Sequence, residues 1–265
     1  MAVIGLCSAS GSPGVTTTAV GLALSWSAPT ILVEADPTGG SAILAGYLCG
    51  QVGPPDALLE LLAAHHQDRL AQVLPAVTLP LPGSSVSVRP GTRSHAQAGG
   101  LTGLWDGLLA GLKTLAGTGA DTIVDLGRLG LAGSATPILY GADLTLVVCR
   151  ADLVSLAGAR SWVTTLRAEF EQFGAGSSLG LLLVGAGRPY TSSEVAKVLG
   201  VPVVATLDWD PKAAAVFSLG HQVRKHDRSH LVRDLRTAER RIRAVVERNR
   251  ADLRDLPGPG GEVGR

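Results

Sequence analysis

A glycine-rich turn near the N-terminus carries residues whose types and spacing could bind an anion. The sequence Ser10-Gly-Ser-Pro-Gly-Val-Thr-Thr-Thr18 follows a short apolar run and precedes a longer apolar stretch that predicts a helix. A turn between a strand and a helix exposes backbone N–H groups at the positive end of the helix dipole. Gly11 and Gly14 would let the backbone approach a bound group closely. The pattern therefore predicts a phosphate-binding loop at residues 10–18.

The side chains of this loop fit only part of the known pattern for phosphate-binding loops. Thr16 stands where a hydroxyl would bind Mg²⁺, and Thr17 can contact phosphate from the first helical turn. The strict pattern G-x-x-x-x-G-K-[ST] fails because Val15 stands where the lysine belongs. Glycine-rich turns that bind no ligand are also common, so the loop alone leaves both interpretations open. The residues predicted to line the cofactor are Gly11, Ser12, Pro13, Gly14, Val15, Thr16 and Thr17.

Two carboxylates follow later apolar runs that predict strands. Asp36 comes after the run Thr30–Glu34, and Asp125 ends the run Thr122–Asp125. An aspartate at such a junction often only caps the next helix. In an open α/β sheet, however, ligands bind at the carboxyl ends of the strands. With a phosphate loop upstream, the joint placement favours Asp36 and Asp125 as residues of a nucleotide site.

The pattern of apolar runs predicts the elements that must position these residues. Short runs bounded by Gly, Pro and Asp alternate with longer helical stretches, which is typical of βαβ units. The predicted strands are Ala2–Cys7, Thr30–Glu34, Val86–Arg89, Thr122–Asp125, Leu144–Cys149, Leu181–Val184 and Val203–Thr206. The predicted helices are Thr16–Ser27, Ser41–Leu48, Pro55–Ala64, Gly103–Leu115, Leu153–Phe173, Ser192–Leu199 and Arg224–Arg254. We expect an α/β fold: a doubly wound, mostly parallel sheet flanked by helices, in one domain over residues 1–256 with a disordered tail at 257–265.

The composition of the chain excludes several classes of protein. Hydrophobic residues make up 46% of the 265 residues, charged residues 17% and aromatic residues 4%, and the formal net charge is +1. Such a charge produces no overall field that attracts nucleic acid. No apolar run reaches the ~20 residues of a membrane span, and the N-terminus lacks the pattern of a leader. We expect a cytoplasmic protein without stable membrane insertion, whose three separated cysteines, Cys7, Cys49 and Cys149, are reduced and buried.

The last predicted helix differs from the others in its charge. Residues 221–255 hold 11 Lys and Arg against 6 Asp and Glu. One apolar stripe recurs at three- and four-residue spacing; it consists of Leu231, Leu235, Ala238, Ile242 and Val245. The pattern favours a helix docked on the domain with a solvated basic face. Binding to DNA is the alternative, but the six acids that interrupt the basic residues do not favour it.

The order and spacing of these motifs over residues 2–220 resemble the ParA/MinD family of P-loop ATPases. The deviant Walker A motif of that family reads K-G-G-x-G-K-T-T, so Ser10 and Val15 replace its two lysines. Ile31-Leu-Val-Glu-Ala-Asp-Pro-Thr-Gly-Gly40 is similar to the switch I motif D-x-D-P-x-G, with Glu34 at the first aspartate. Thr122-Ile-Val-Asp-Leu-Gly127 resembles the Walker B strand.

This resemblance implies the ligands and their residues. ATP or ADP would bind with Mg²⁺, and Thr16, Asp36 and Asp125 would hold the ion. Asp36 would position the attacking water if the site is active. Loss of both lysines implies weak nucleotide binding and impaired or absent hydrolysis, because such cations neutralise charge in the transition state. Arg89 and Arg93 are candidates to supply the missing charge.

The resemblance also implies a function. Relatives form a sandwich dimer around two ATP molecules and position plasmids, division sites, pili or secretion machines, and TadZ/CpaE-type proteins among them carry atypical P-loops. We therefore expect a homodimer that positions or recruits a protein partner complex, in pilus, secretion or partitioning machinery. Three classes remain open at this point: a slow ATPase, a non-hydrolysing nucleotide-bound scaffold, and a pseudo-ATPase that binds no nucleotide. A DNA-associated partitioning protein is a further alternative.

Overall fold

The structure, a computed structural model, describes residues 1–53, 56–114 and 119–254 and is built on one eight-stranded sheet. The strands are β1 (Val3–Ser8), β2 (Thr30–Glu34), β3 (Leu79–Pro80), β4 (Val86–Arg89), β5 (Asp121–Arg128), β6 (Leu144–Arg150), β7 (Leu179–Val184) and β8 (Val203–Leu207). Their order is β3-β4-β2-β5-β1-β6-β7-β8, and every neighbouring pair is parallel except β3 with β4. The predicted fold class, a doubly wound and mostly parallel sheet, is confirmed.

All seven predicted strands are present, and six of them are apolar on both faces; β4 is apolar on one face only, through Val86 and Val88. In β1, Val3 and Cys7 pack into the hydrophobic cluster on one face of the sheet, while Ile4 and Leu6 pack into the cluster on the other. Burial on both faces is typical of the central strands of a parallel sheet. The strand that the sequence does not predict, β3, has two residues and pairs antiparallel at the edge.

Ten α-helices cover the two faces of the sheet within the described residues. They are α1 (Val15–Ser25), α2 (Ala57–His66), α3 (Leu70–Val73), α4 (His95–Gly100), α5 (Trp105–Thr114), α6 (Thr136–Gly141), α7 (Leu153–Gln172), α8 (Ser192–Leu199), α9 (Pro211–Leu219) and α10 (His230–Arg254). Side chains of α1, α9 and α10 enter one hydrophobic cluster, and those of α2 and α5 to α8 enter the other. The helices therefore lie on both faces, as a doubly wound sheet requires.

The predicted helices are confirmed with shifted ends, with one exception. Residues 41–48, predicted as an α-helix, form a single π-helical turn at Ile43–Tyr47. The helix predicted from Arg224 begins at His230, after a 3₁₀ turn at His226–Arg228. Pro55 and Leu115, at the ends of two predicted helices, and the predicted tail 257–265 lie outside the described residues.

The strand order brings the functional segments to one edge of the sheet. β1 lies between β5 and β6, and β5 also pairs with β2. Asp125 of β5 is level with Leu6 of β1 and with Glu34 of β2. The loops that follow β1, β2, β5 and β6 therefore meet at the carboxyl edge of the sheet.

Helix α10 docks on the sheet through its apolar stripe. Leu231, Leu235, Ala238 and Ile242 are buried, and Val246 is more deeply buried than the predicted Val245. The stripe packs with α1 and β8 in the same hydrophobic cluster. Over residues 1–53, 56–114 and 119–254, no helix has both the length and the apolar character that a bilayer span requires.

Cys49 corrects one sequence prediction. Cys7 and Cys149 are buried as expected, but Cys49 is exposed. It follows the π-helical turn with a positive φ of 52°, and its thiol contacts the Leu219 carbonyl at the end of α9. Cys49 therefore lies in a surface turn and not in the core.

Candidate functional site

The loop between β1 and α1 forms an open cradle of backbone groups. Gly11, Ser12 and Gly14 have φ values of 75°, 43° and 96°, in the left-handed region that glycine adopts at little cost. The first helical hydrogen bond runs from the Thr18 N–H to the Gly14 carbonyl, 2.9 Å apart. No side chain of the described residues caps α1, and its first turn holds no acidic residue. The N-terminal N–H groups of α1 are therefore available to an anion.

Val15, at the position of the P-loop lysine, is part of the core. Its side chain is 8% exposed and belongs to the hydrophobic cluster that includes α1 and α10. Pro13 is also buried. The cradle thus keeps its backbone form while an apolar side chain occupies the place of the cation.

Asp125 lies beneath the cradle and has one oxygen without a hydrogen-bond partner. The side chain is fully buried, and its Oδ1 accepts a hydrogen bond from the Gly127 N–H at 2.9 Å. Among the described residues, nothing meets hydrogen-bond geometry at Oδ2, although the Thr16 hydroxyl lies close enough to lower the pKa of the carboxyl. A buried unsatisfied oxygen beside a hydroxyl suits a bound cation.

Burial also controls the charge of Asp125. Desolvation raises the pKa of its carboxyl to about 7, and the nearby charges of Glu34 and Asp36 raise it further. The nearby Thr16 hydroxyl and the hydrogen bond from the Gly127 N–H lower the pKa and so act in the opposite direction. A cation at Oδ2 would supply the positive charge that this carboxylate lacks.

Asp36 lies at the entrance of the same region, as the sequence predicts. Its Oδ1 accepts hydrogen bonds from the N–H and the hydroxyl of Thr38, each at 2.8 Å. The carboxyl packs directly over Gly127, where a Cβ would lie 2.3 Å from its Cγ. Gly127 therefore allows Asp36 to approach the end of β5. The predicted residues Thr16, Asp36 and Asp125 are brought together.

The metal interpretation needs ligands beyond these carboxylates. Within the described part of the chain, no group of three or more His, Cys, Asp or Glu residues could hold a metal ion. Mg²⁺ commonly binds through one or two carboxylates together with substrate phosphates and water. The site fits Mg²⁺ in that mode, with the nucleotide as a ligand.

Glu34 has a structural role that the sequence does not reveal. It is buried, and its Oε1 accepts hydrogen bonds from the N–H groups of Ala42 (2.8 Å) and Ile43 (3.3 Å). Its Oε2 accepts one from the Gly91 N–H at 2.9 Å. Glu34 therefore ties the segment after β2 to the segment after β4.

The two arginines proposed from the sequence contact other parts of the chain. Arg89 is fully buried and donates to the Leu74 carbonyl after α3, and burial lowers its pKa to about 10. Its side chain lies in the core, so the prediction that it supplies charge to the loop is wrong. Arg93 forms an exposed ion pair with Asp56, 2.8 Å apart. Its role in binding a cofactor stays a prediction.

Arg150, which the sequence analysis did not single out, is the arginine that touches the loop. It ends β6, and its Nη2 donates to the Ser12 carbonyl at 3.2 Å. Its guanidinium lies over the Trp209 ring, 4.6 Å from the centroid. The signal available in the sequence is its position at the carboxyl end of a predicted central strand.

A cleft beside the loop is large enough for a small ligand. Its volume is about 290 Å³. The loop and the start of α1 form one wall, and residues after β6, β8 and along α9 form the other. Its lining includes Ser12, Gly14, Thr17, Arg150, Trp209 and Phe217. The combination of a backbone cradle with an adjacent, largely apolar cleft is typical of a nucleotide site.

Comparison with known proteins agrees with this geometry. No family model and no curated protein matches the chain. Among solved structures, a ParA family ATPase from Chlorobium tepidum TLS matches with a TM-score of 0.72 and 21% identity, covering 89% of this chain and 97% of that one. The septum site-determining protein MinD from Pyrococcus horikoshii OT3, complexed with Mg-ADP, matches with a TM-score of 0.67 and 16% identity over 94% and 98%.

A third structure, the MinC:MinD cell division protein complex of Aquifex aeolicus, matches with a TM-score of 0.69 and 14% identity over 92% of this chain and 96% of that one. The fold and the glycine cradle thus define a P-loop α/β protein. Within that class, the fold is that of the ParA/MinD-type ATPases, as the motifs predict.

Proposed function

We propose that this protein is a ParA/MinD-like nucleotide-binding switch or scaffold with weak or absent ATP hydrolysis. It binds ATP or ADP with Mg²⁺, dimerises, and positions or recruits a protein partner complex in pilus, secretion or partitioning machinery. The observation that carries the proposal is the open backbone cradle above the unsatisfied Oδ2 of Asp125. A loop that had lost its ligand would have no need of either feature.

The residues present support distinct roles for the loop and the carboxylates. The backbone N–H groups of residues 11–17, apart from Pro13, which has none, would bind phosphate oxygens, and Thr16 and Asp125 would hold Mg²⁺, with Asp36 beside them. When bound, the ion neutralises negative charge on the phosphates. Asp36 holds the attacking water if hydrolysis occurs.

Slow hydrolysis follows from the cations that are missing. Ser10 and Val15 replace both family lysines, and the first lysine of the chain is Lys113. A cation that stabilises the transition state of phosphoryl transfer can contribute ~10³–10⁵ in rate. Binding through backbone N–H groups depends less on such a charge. We therefore expect the loss of both lysines to lower nucleotide affinity less than it lowers the rate of hydrolysis.

Exposed apolar residues beside the loop support a homodimer through the nucleotide face. Leu153 and Val154, at the start of α7, are 66% and 82% exposed. The same helix contacts the loop, since a Cβ at Gly158 would lie 2.1 Å from the Ser10 hydroxyl oxygen. The similar MinC:MinD complex supports a protein partner for the assembled form.

Steady-state phosphate release tests the catalytic part of the proposal, beside the nucleotide content of the purified protein. We expect bound or bindable nucleotide and turnover far below about 1 per minute, since the transition-state cations are absent. Turnover at that rate or faster that disappears in Asp36→Ala would show an active enzyme. A protein that carries no nucleotide and binds none would be the pseudo-ATPase alternative.

A second candidate function, association with DNA, is favoured by the exposed face of α10. Asp234 faces the domain and accepts a hydrogen bond from the Asp208 N–H at 2.9 Å, while Glu239 accepts one from the Ser27 N–H at 2.9 Å. Arg233, Arg236 and Arg240 are exposed at three- and four-residue spacing. These three arginines form a basic ridge on the exposed face of α10. Two of the six acids in residues 221–255 face the domain and therefore do not interrupt this basic ridge.

Fluorescence anisotropy with duplex DNA at several salt concentrations tests this second function. Binding through the ridge weakens steeply with salt, because phosphate contacts release counterions. An Arg236→Glu/Arg240→Glu variant loses it, while a Glu substitution of the exposed Arg167 on α7 does not. Equal anisotropy of both variants and the wild type would rule the ridge out.

A further inference from the structure

Arg150 is held between the phosphate loop and an aromatic ring. Its Nη2 donates to the Ser12 carbonyl, and its guanidinium stacks on Trp209. Its Nε is buried and has no hydrogen-bond partner within the described ranges. The side chain borders the cleft beside the loop and also a second cavity of about 260 Å³, and Trp209 lines both. The guanidinium is therefore fixed in place and yet reaches both spaces.

The positive charge of Arg150 is not neutralised by a carboxylate. No Asp or Glu oxygen of the described residues lies within 4.0 Å of its guanidinium. The three acids that line the two cavities are already engaged by other groups. Asp152 accepts hydrogen bonds from the N–H (2.8 Å) and hydroxyl (3.0 Å) of Ser155. Asp208 pairs with Arg188 at 3.3 Å, and Asp210 accepts a hydrogen bond from the Ala213 N–H at 3.0 Å.

An arginine in this arrangement suits phosphate better than a merely structural role. A guanidinium stacked on an aromatic ring loses little further freedom when it binds an anion, and its planar fork matches the oxygens of a phosphate. A single hydrogen bond to a carbonyl uses one of its five N–H donors. The remaining donors lie at the edge of a cradle that holds no lysine.

We propose that Arg150 is the phosphate-binding cation of this chain, with Trp209 as the residue that positions it. Arg150 binds a phosphate group of the nucleotide from the β6 side of the loop and so replaces, for binding, the charge lost at Ser10 and Val15. The proposal rests on the proposed nucleotide function. It names a residue for which the ParA/MinD motifs predict no role.

The test compares the affinity of Mg-ADP for the wild type, Arg150→Met, Arg150→Lys and the control Arg167→Met, by titration calorimetry at two salt concentrations. Arg167 lies further along α7 and carries the same charge in an exposed ion pair with Glu171. We expect Arg150→Met to weaken binding about tenfold or more, the range of a lost charge-assisted contact. Arg150→Lys, which keeps the charge without the planar fork, should lose less affinity than Arg150→Met, and Arg167→Met should bind like the wild type.

The salt dependence separates a charge contact from a structural clamp. Loss of a cation that binds phosphate flattens the dependence of affinity on salt, because one screened charge pair is removed. A clamp on the loop would lower affinity at both salt concentrations equally, with no rescue by lysine. Melting curves show whether each variant is folded. If Arg150→Met does not fold, the affinity and salt dependence of Arg150→Lys still test the proposal.

Three results would overturn the proposal. Unchanged affinity in Arg150→Met would remove Arg150 from the site while leaving the nucleotide function intact. Weaker binding with an unchanged salt dependence and no rescue by Arg150→Lys would assign a structural role. A wild type that binds no Mg-ADP would overturn both this proposal and the nucleotide function.

Discussion

At the scale of single residues, the loop keeps the backbone geometry that could bind an anion but lacks a positively charged side chain of its own. The backbone of Gly11, Ser12 and Gly14 keeps the left-handed geometry of a phosphate loop. The side chain of Val15 is packed into the core, so the position that would hold a cation supplies no charge. The carboxyl of Asp125 is buried, and its Oδ2 has no hydrogen-bond partner among the described residues, so a proton or a bound cation would compensate its charge.

The raised pKa of Asp125 predicts how pH changes both binding and stability. The pKa rises from an ordinary value of 3.8 to about 7 on folding, mainly through burial. The unliganded fold is therefore favoured at low pH, and this contribution is lost as the pH rises from about 4 through about 7. Mg²⁺ requires the ionised carboxylate, so its effect on ADP affinity should increase up to about tenfold per pH unit below pH 7 and then level off.

Titrations with Mg-ADP at pH 6, 7 and 8, and melting curves of the unliganded protein from about pH 4 to about pH 8, check this prediction. The matched variant is Asp125→Asn, which keeps the shape and cannot ionise. Its melting temperature should lack the fall with pH that the wild type shows. If the melting temperatures of the wild type and Asp125→Asn changed with pH in the same way, the pKa given for Asp125 would be contradicted.

Restoring the lysine at position 15 should strengthen binding and weaken the fold. Val15→Lys adds a charged donor to an intact cradle, worth about 1.5–3 kcal/mol, or about ten- to a hundredfold in ADP affinity. It also removes an apolar side chain from the core and desolvates an ammonium group, which lowers the melting temperature. Val15→Met, which is long but uncharged, is the control. Unchanged affinity in Val15→Lys would mean that the side chain cannot reach a phosphate.

At the scale of elements, hydrophobic burial explains what the sequence could predict. The sequence predicts all seven of the longer strands, and in six of them neighbouring apolar residues enter different clusters; β4 contributes Val86 and Val88 to one cluster only. The sequence does not predict four helices, α3, α4, α6 and α9. The first three have only four to six residues, too few turns for a clear period. The contact between Arg150 and Ser12 joins residues 138 positions apart, and no local pattern contains it.

The docking of α10 predicts that the protein does not bind membranes. The apolar stripe that an interfacial helix would insert into lipid is buried against α1 and β8. We expect no co-sedimentation with anionic liposomes at physiological salt. Robust co-sedimentation that is lost when residues 224–265 are deleted would contradict this, provided that the truncated protein gives a normal melting curve.

At the scale of the whole molecule, the carboxyl edge of the sheet gathers every feature linked to function. The cradle, Asp36, Asp125 and Arg150 meet there, and the exposed Leu153 and Val154 lie on the helix that touches the loop. The basic ridge belongs to a helix that packs against α1 and β8. One edge thus carries the proposed nucleotide site, while α10 offers a separate surface.

The exposed apolar residues of α7 predict a nucleotide-dependent dimer. Val154→Asp places a charge in the apolar contact and should weaken the dimer without changing the monomer fold. Light scattering after size exclusion, with and without Mg-ATP, measures the change. Val198→Asp is the matched control, because Val198 is exposed on α8. Equal dimerisation of both variants with the wild type would place the interface elsewhere.

The central claim is that the degenerate loop still binds a nucleotide together with Mg²⁺, and titration calorimetry with ADP measures this directly. We predict saturable binding that weakens about tenfold or more when Mg²⁺ is chelated, since each contact to an ionised group is worth about 1.5–3 kcal/mol. Asp125→Ala should show the same loss, and Asp106→Ala, which removes an exposed carboxylate from α5, should not. Equal affinities with and without Mg²⁺ in the wild type, or no saturable binding at all, would contradict the claim.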